Sequence, residues 1–161
     1  MFALYPKAAT ISYNIAMKII STNRRAKYDY ELKEKFIAGL VLTGAEVKSI
    51  KSGHVDLKGS YISFRSGEAY LVGAHVSPYM QDSLKADYNP TADRKLLLHK
   101  KELDRLVEDS KTQNLTVVPT AIGLSRGLVK LEIALARGKK LYDKRETKKR
   151  KDMLKDARLG Q

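Results

Sequence analysis

The most constraining stretch of this sequence is residues 128–136, where Val129, Leu131, Ile133 and Leu135 alternate with Lys130 and Glu132. Side chains two apart in an extended chain share a face, so this pattern predicts a half-buried strand. Leu124-Ser125-Arg126-Gly127 reads as the turn before it, and residues 115–122 as its antiparallel partner. Pro119, which has no amide hydrogen to give a ladder, marks an edge or a bulge in that partner. The same reading extends backwards. Residues 60–65 and 68–76 flank Ser66-Gly67, a tight hairpin turn, and residues 30–41 are rich enough in aromatic and branched side chains for one or two more strands. Two helices interrupt the strands. Residues 44–51 carry Val47 and Ile50 on one face with Gly53 as a stop, and residues 100–109 turn Leu103, Leu106 and Val107 inward. Residues 77–93, with Pro78 and Pro90, read as a long loop. Five or six short strands, two short helices and no repeated βαβ unit predict a mainly β protein. An antiparallel barrel resembling an OB fold is the natural form, although pattern alone leaves its closure open.

Charge divides the chain. Residues 138–161 contain ten Lys and Arg against four Asp and Glu, so 10 − 4 = +6 of the overall +13 falls on 24 residues with little to bury. A basic tail from residue 138, behind a body of residues 18–137, is the expected organisation, and the partner of such a chain is polyanionic. Residues 1–16 carry one charge, Lys7, and Pro6 and Lys7 break the apolar run a secretory signal needs. Residues 1–17 are therefore expected to form an unstructured extension, with Met17 a candidate initiator. No apolar run approaches a membrane span, and the absence of Cys excludes disulfides, thiol nucleophiles and Cys-based zinc sites. That composition fits a cytoplasmic protein.

Catalytic patterns are lacking. His54, His75 and His99 have no helical pairing, and no phosphate-binding glycine loop or nucleophile elbow occurs. Glu31 with Glu34, or Asp82 with Asp87, read as solvated surface. No enzyme, metal or cofactor is expected. RNA binding requires cations for phosphates and flat side chains for bases, and residues 23–30 supply Arg24, Arg25 and Lys27 with Tyr28 and Tyr30.

Six blocks then occur in one order: Asn23-Arg24-Arg25-Ala26; Phe36-x-Ala38-Gly39-Leu40; Gly44-x-Glu46-Val47-Lys48-Ser49-Ile50; Gly67-Glu68-Ala69; Arg94-Lys95-Leu96-Leu97-Leu98-His99 with Glu102-Leu103; and Gly138-Lys139-Lys140-Leu141-Tyr142-Asp143-Lys144-Arg145. From about Lys18 onward the chain resembles the SsrA-binding protein family, SmpB. The resemblance implies a partner of transfer-messenger RNA (tmRNA), the alanine-charged RNA of bacterial trans-translation. Its further partners would be elongation factor Tu in the delivery complex and the ribosome, whose decoding centre and empty message channel the tail enters. The implied RNA-binding residues are Asn23, Arg24, Lys27, Glu46, Lys48, Arg94, Lys95 and Leu97. The implied ribosome-binding residues are Gly138, Lys139, Lys140, Tyr142, Asp143, Lys144 and Arg145. Ile37 departs from the family, which commonly has Glu there. Self-repulsion predicts a tail disordered in the free protein and helical on the ribosome. Glu146–Arg150 and Lys148–Asp152 would aid that helix by about 0.2–0.5 kcal/mol each. A generic ribosome-associated or single-stranded nucleic-acid-binding barrel, with a basic tail that only raises affinity, is the competing expectation.

Overall fold

Two hairpins organise the sheet, and both turn through a residue and a glycine with positive φ. Strands β8 (Thr116–Ser125) and β9 (Leu128–Gly138) are joined by Arg126 (φ 51°) and Gly127 (φ 76°). Strands β4 (Tyr61–Arg65) and β5 (Glu68–Val72) are joined by Ser66 (φ 50°) and Gly67 (φ 73°). Paired positive φ values match the right-handed twist of the flanking strands, so each turn fixes its register. In this computed structural model the described residues are 17–79 and 87–160, so the expected extension before Met17 and the middle of the 77–93 loop lie outside them.

The other elements are β1 (Lys18–Thr22), helix α1 (Arg24–Asp29), β2 (Tyr30–Leu40), α2 (Gly44–Lys51), β3 (Val55–Asp56), β6 (His75–Val76), β7 (Arg94–Leu97), α3 (Lys100–Thr112) and α4 (Leu141–Leu159). Seven strands form one antiparallel sheet in the order β1-β8-β9-β2-β7-β5-β4, while β3 and β6 pair separately. The core gathers Ile50 of α2, Leu71 of β5, Leu106 of α3, Ile122 of β8 and Leu131 and Ile133 of β9, all essentially fully buried. The alternation of β9 is therefore real: its odd-numbered apolar residues face the core. Joining of the two halves of the sheet is slight. Strands β2 and β7 meet through two registered pairs, Gly39 with Leu97 and Leu40 with Leu96, plus the bond from Val41 N to Lys95 O (3.0 Å).

One expectation is corrected. The fold is a mixed α/β structure whose sheet does not close into a barrel, and the physical reason lies at β8. Its outer edge is occupied by β1, which pairs from Lys18 with Leu124 to Thr22 with Ala121. The next carbonyls, of Pro119 and Thr120, are taken by Asn23, through Nδ2 (2.9 Å) and backbone N (2.8 Å). Strand β4 thus lies beside β8 with no ladder between them. Pro119 sits where the β8–β9 register shifts, the bulge alternative of the sequence reading. The tail, expected to be helical on the ribosome, forms the continuous helix α4, whose 19 residues contain neither Gly nor Pro and are dominated by Lys, Arg, Leu, Asp and Glu. Its far turns are nonetheless exposed on all sides, with Met153, Leu154 and Leu159 in solvent.

Candidate nucleic-acid interface

The outward face of the central strands follows from register. Gly39 of β2 stands between Lys130 of β9 and Leu97 of β7. A Cβ built on Gly39 would approach Leu97 Cβ to 3.2 Å and Lys130 Nζ to 3.7 Å, so the three residues share one surface. Leu97 is 54% exposed there, a large apolar side chain displayed in solvent beside an ammonium group. Two residues back along β7, and so on the same face, is Lys95, opposite Tyr70 of β5. The next outward pair across β2 and β9 is Ile37 and Glu132. A carboxylate thus occupies this face from the strand adjacent to Ile37. Lys35 Nζ lies 2.9 Å from Glu132 Oε1, and Thr120 Oγ1 donates to the same oxygen at 2.7 Å. Burial pushes the Glu132 carboxyl up, but the bonds from Thr120 and Lys35, with the charges of Lys35 and Lys27, outweigh it and hold the group below the ordinary glutamate range. Lys130 was not singled out from the sequence. Its signal was available, as the one cation at an outward position of the alternating strand.

A polar network borders this face. Lys95 Nζ meets Glu68 Oε1 at 2.7 Å, and Tyr70 Oη donates to Glu68 Oε2 at 2.8 Å. The Lys95 hydrogen bond, followed by that of Tyr70, lowers the Glu68 pKa, and Glu68 in turn raises those of Lys95 and Tyr70. Arg65 stacks 4.5 Å over the Tyr70 ring and reaches Asp93 at 2.6 Å.

Three of the residues implied by resemblance are built into the interior. Asn23 is buried at the start of α1, where its Oδ1 accepts from Ala26 N (3.2 Å) and its Nδ2 donates to the carbonyls of Leu57 (3.2 Å) and Pro119 (2.9 Å). Both amide donors are spent inside the fold. Glu46 caps α2 reciprocally: Thr43 Oγ1 accepts from Glu46 N, and Glu46 Oε1 accepts from Thr43 N, each at 3.2 Å. Its Oε2 accepts from Arg94 Nε at 2.5 Å. The same guanidinium donates from Nη1 to Ala74 O and Ala92 O, and from Nη2 to Pro90 O and Tyr88 Oη. All five of its N–H groups are engaged. Glu46 and Arg94 therefore form a buried pair that ties α2 to β7 and to the chain leading into β7.

The remaining implied residues are outside. Arg24 and Lys27 are exposed on α1, and Lys48 is exposed on α2 with its ammonium 5.6 Å from the Tyr79 ring. Gly138 ends β9, and Lys139 and Lys140 lead into α4, which carries Lys144 and Arg145 in its first turns. Tyr142 and Asp143 lie on the helical backbone of α4; their side chains are outside what is described. Glu34, read from the sequence as solvated surface, accepts from Arg105 at 2.6 Å, and Asp82 lies outside the described residues. Among the described residues, no cluster of His, Asp or Glu is arranged to hold a metal ion, and no helix is long and apolar enough to cross a membrane.

The family model described as SmpB protein matches residues 20–159. Among curated proteins, an SsrA-binding protein of Coxiella burnetii (strain CbuK_Q154) is 49% identical over 144 residues, covering 88% of this chain and 89% of that protein. Those of Trichormus variabilis and Nitratidesulfovibrio vulgaris (strain DP4) are 48% and 47% identical, covering 86% and 83% of this chain and 90% and 86% of their own lengths. A solved structure described as "tmRNA-SmpB: a journey to the center of the bacterial ribosome" superposes with a TM-score of 0.62 at 46% identity, over 75% of this chain and 85% of that one. With the match running from β1 to the last turn of α4, the chain belongs to the SmpB protein family.

Proposed function

We propose that this chain binds the tRNA-like part of tmRNA and carries it to stalled ribosomes for trans-translation, as an adaptor and not an enzyme. The observation that carries the reading is the outward face in which Lys95 and Lys130 flank the exposed Leu97, in a chain of this family. Ammonium groups neutralise phosphates, while an exposed leucine packs against an unstacked base or a ribose. Lys27 and Lys35 extend the cationic surface toward α1, and Lys48 with Tyr79 adds a cation and a ring at α2. Asn23, Glu46 and Arg94 serve this surface indirectly, by holding α1, α2 and β7 in place.

Residues 18–137 then grip the RNA, and residues 138–161 engage the decoding centre and the empty message channel through Gly138, Lys139, Lys140, Tyr142, Asp143, Lys144 and Arg145. The RNA arrives with elongation factor Tu, in the cytoplasm where ribosomes are. Direct binding to a transcript of the tRNA-like part tests the reading. Affinity should exceed that for unstructured RNA of equal length, and deletion from Asp143 onward should leave it largely intact while abolishing tagging. Equal affinity for both RNAs, or full tagging with a tail scrambled at constant charge, would favour a generic single-strand binder instead.

A further inference from the structure

The outward face does not stop at Lys95. Tyr70 of β5 stands opposite Lys95, and β4 continues the face through the pairs Ser63 with Tyr70 and Arg65 with Glu68. Alternation along each strand puts these side chains on the side that displays Leu97. At the far end Arg65, Ser66, Tyr70 and Asp93 line an open hollow of about 270 Å³. One wall of it is flat and held from two directions. The Arg65 guanidinium lies 4.5 Å from the centre of the Tyr70 ring and donates from Nη2 to Asp93 Oδ2 at 2.6 Å, while the Tyr70 hydroxyl donates to Glu68. The charges here cancel. Arg65 and Lys95 each meet a carboxylate already, Asp93 at 2.6 Å and Glu68 at 2.7 Å, so the cluster has no surplus positive charge for a phosphate. Its surplus is an acceptor: Asp93 Oδ1 has no partner among the described residues, on a side chain that is 41% exposed.

We propose that this hollow is a nucleobase site that takes one unpaired guanine of an RNA. A guanidinium stacked on an aromatic ring is a platform for a further flat group, and unstacked RNA bases are read on such platforms through their edges. The acceptor decides which base. An ionised carboxylate offers lone pairs and no hydrogen, so it suits a base edge made of donors. Guanine alone presents two adjacent N–H groups, at N1 and N2, on its Watson–Crick edge. Adenine, cytosine and uracil each place an acceptor beside their single donor group, and that acceptor would face the carboxylate lone pairs. The Ser66 hydroxyl lines the same hollow and has a hydrogen for guanine O6. The inference rests on the proposed function in taking RNA as the ligand. It adds a base preference, which contacts to phosphate do not supply.

The test uses the full chain and three RNA pentamers that differ in the central base, UUGUU, UUIUU and UUAUU. Inosine (I) keeps the N1–H and O6 of guanine and lacks its N2 amino group. In fluorescence anisotropy at low salt the wild type should bind UUGUU about 5–10-fold more tightly than either of the others. Asp93→Asn, which puts a donor beside one acceptor at equal size, should bind all three alike. Arg65→Lys, which removes the flat platform, should weaken all three. Both side chains are exposed, so both variants should keep the urea midpoint of the wild type closely. Equal affinity of the wild type for the three pentamers, or a guanine preference that survives Asp93→Asn, overturns the site. Kethoxal, which adds across N1 and N2 of unpaired guanine, locates the source. One guanine of the tRNA-like transcript, or one of ribosomal RNA in the stalled complex, should be shielded by the wild type and open with Asp93→Asn; identical shielding by the two proteins in both RNAs overturns the site as well. A wild type that discriminates among the pentamers yet binds the tRNA-like transcript no better than unstructured RNA would overturn the functional reading and leave the guanine site standing.

Discussion

Asn23, Glu46 and Arg94 share a property visible only when every donor and acceptor is followed to its partner. Each polar atom in use points into the protein, so substitution should act on stability before it acts on RNA. Asn23→Ala removes the helix cap and leaves the carbonyls of Leu57 and Pro119 without their buried donor, a loss of about 1–3 kcal/mol in urea unfolding. Arg94→Met strands the Glu46 carboxylate in the interior and should cost about 3–5 kcal/mol. RNA affinity corrected for the folded fraction should be little changed in Asn23→Ala. Glu132 gives a pH test. Its native pKa lies below the unfolded-chain value, so its contribution is complete above about pH 4.3 and disappears as pH falls through the lower native value. Facing it are Lys35, Lys27 and the Thr120 hydroxyl. Unfolding midpoints of the wild type should thus fall more steeply in mild acid than those of Glu132→Gln.

At the scale of elements, legibility depended on whether a segment's partners lay nearby in sequence. The β8–β9 and β4–β5 hairpins were readable because alternation and an X-Gly turn are local signals, and α2 and α3 because their apolar spacing is local too. Helix α1 was not: six residues starting with two arginines have no apolar stripe, and what makes them helical is the Asn23 cap held by β8 and by Leu57. Strand β1 is legible only once the open edge of β8 is known. The residues of the candidate face divided the same way. Motif resemblance found Lys95 and Leu97 together with buried Asn23, Glu46 and Arg94, because a motif does not say whether a residue touches RNA or supports one that does. Lys130 needed the register of β2 against β9. Close approach makes one glycine decisive. A Cβ on Gly123 would stand 2.3 Å from the carbonyl oxygen of Lys18, so Gly123→Ala should displace β1 from β8. Loss of β1 amide protection, with the β8–β9 hairpin intact, is the expected exchange pattern.

For the molecule as a whole, net charge and surface shape make RNA binding strongly salt-dependent. Each phosphate neutralised should contribute about −0.7 to the slope of log affinity against log salt, and Lys130→Ala should reduce that slope by about one such unit. Leu97→Ala, which removes no charge, should weaken binding without altering the slope. Between the two halves of the sheet there are two registered pairs and one further backbone bond, reinforced underneath by the Glu46–Arg94 lock. Such a narrow seam divides the molecule into cooperative units, so native-state hydrogen exchange should release β4, β5 and β7 together at a lower free energy than β8 and β9. Leu97 lies on one side of the seam and Lys130 on the other, and any ligand that touches both becomes a suture. Its presence should be registered far from the contact, as slower exchange in the Ser66-Gly67 hairpin.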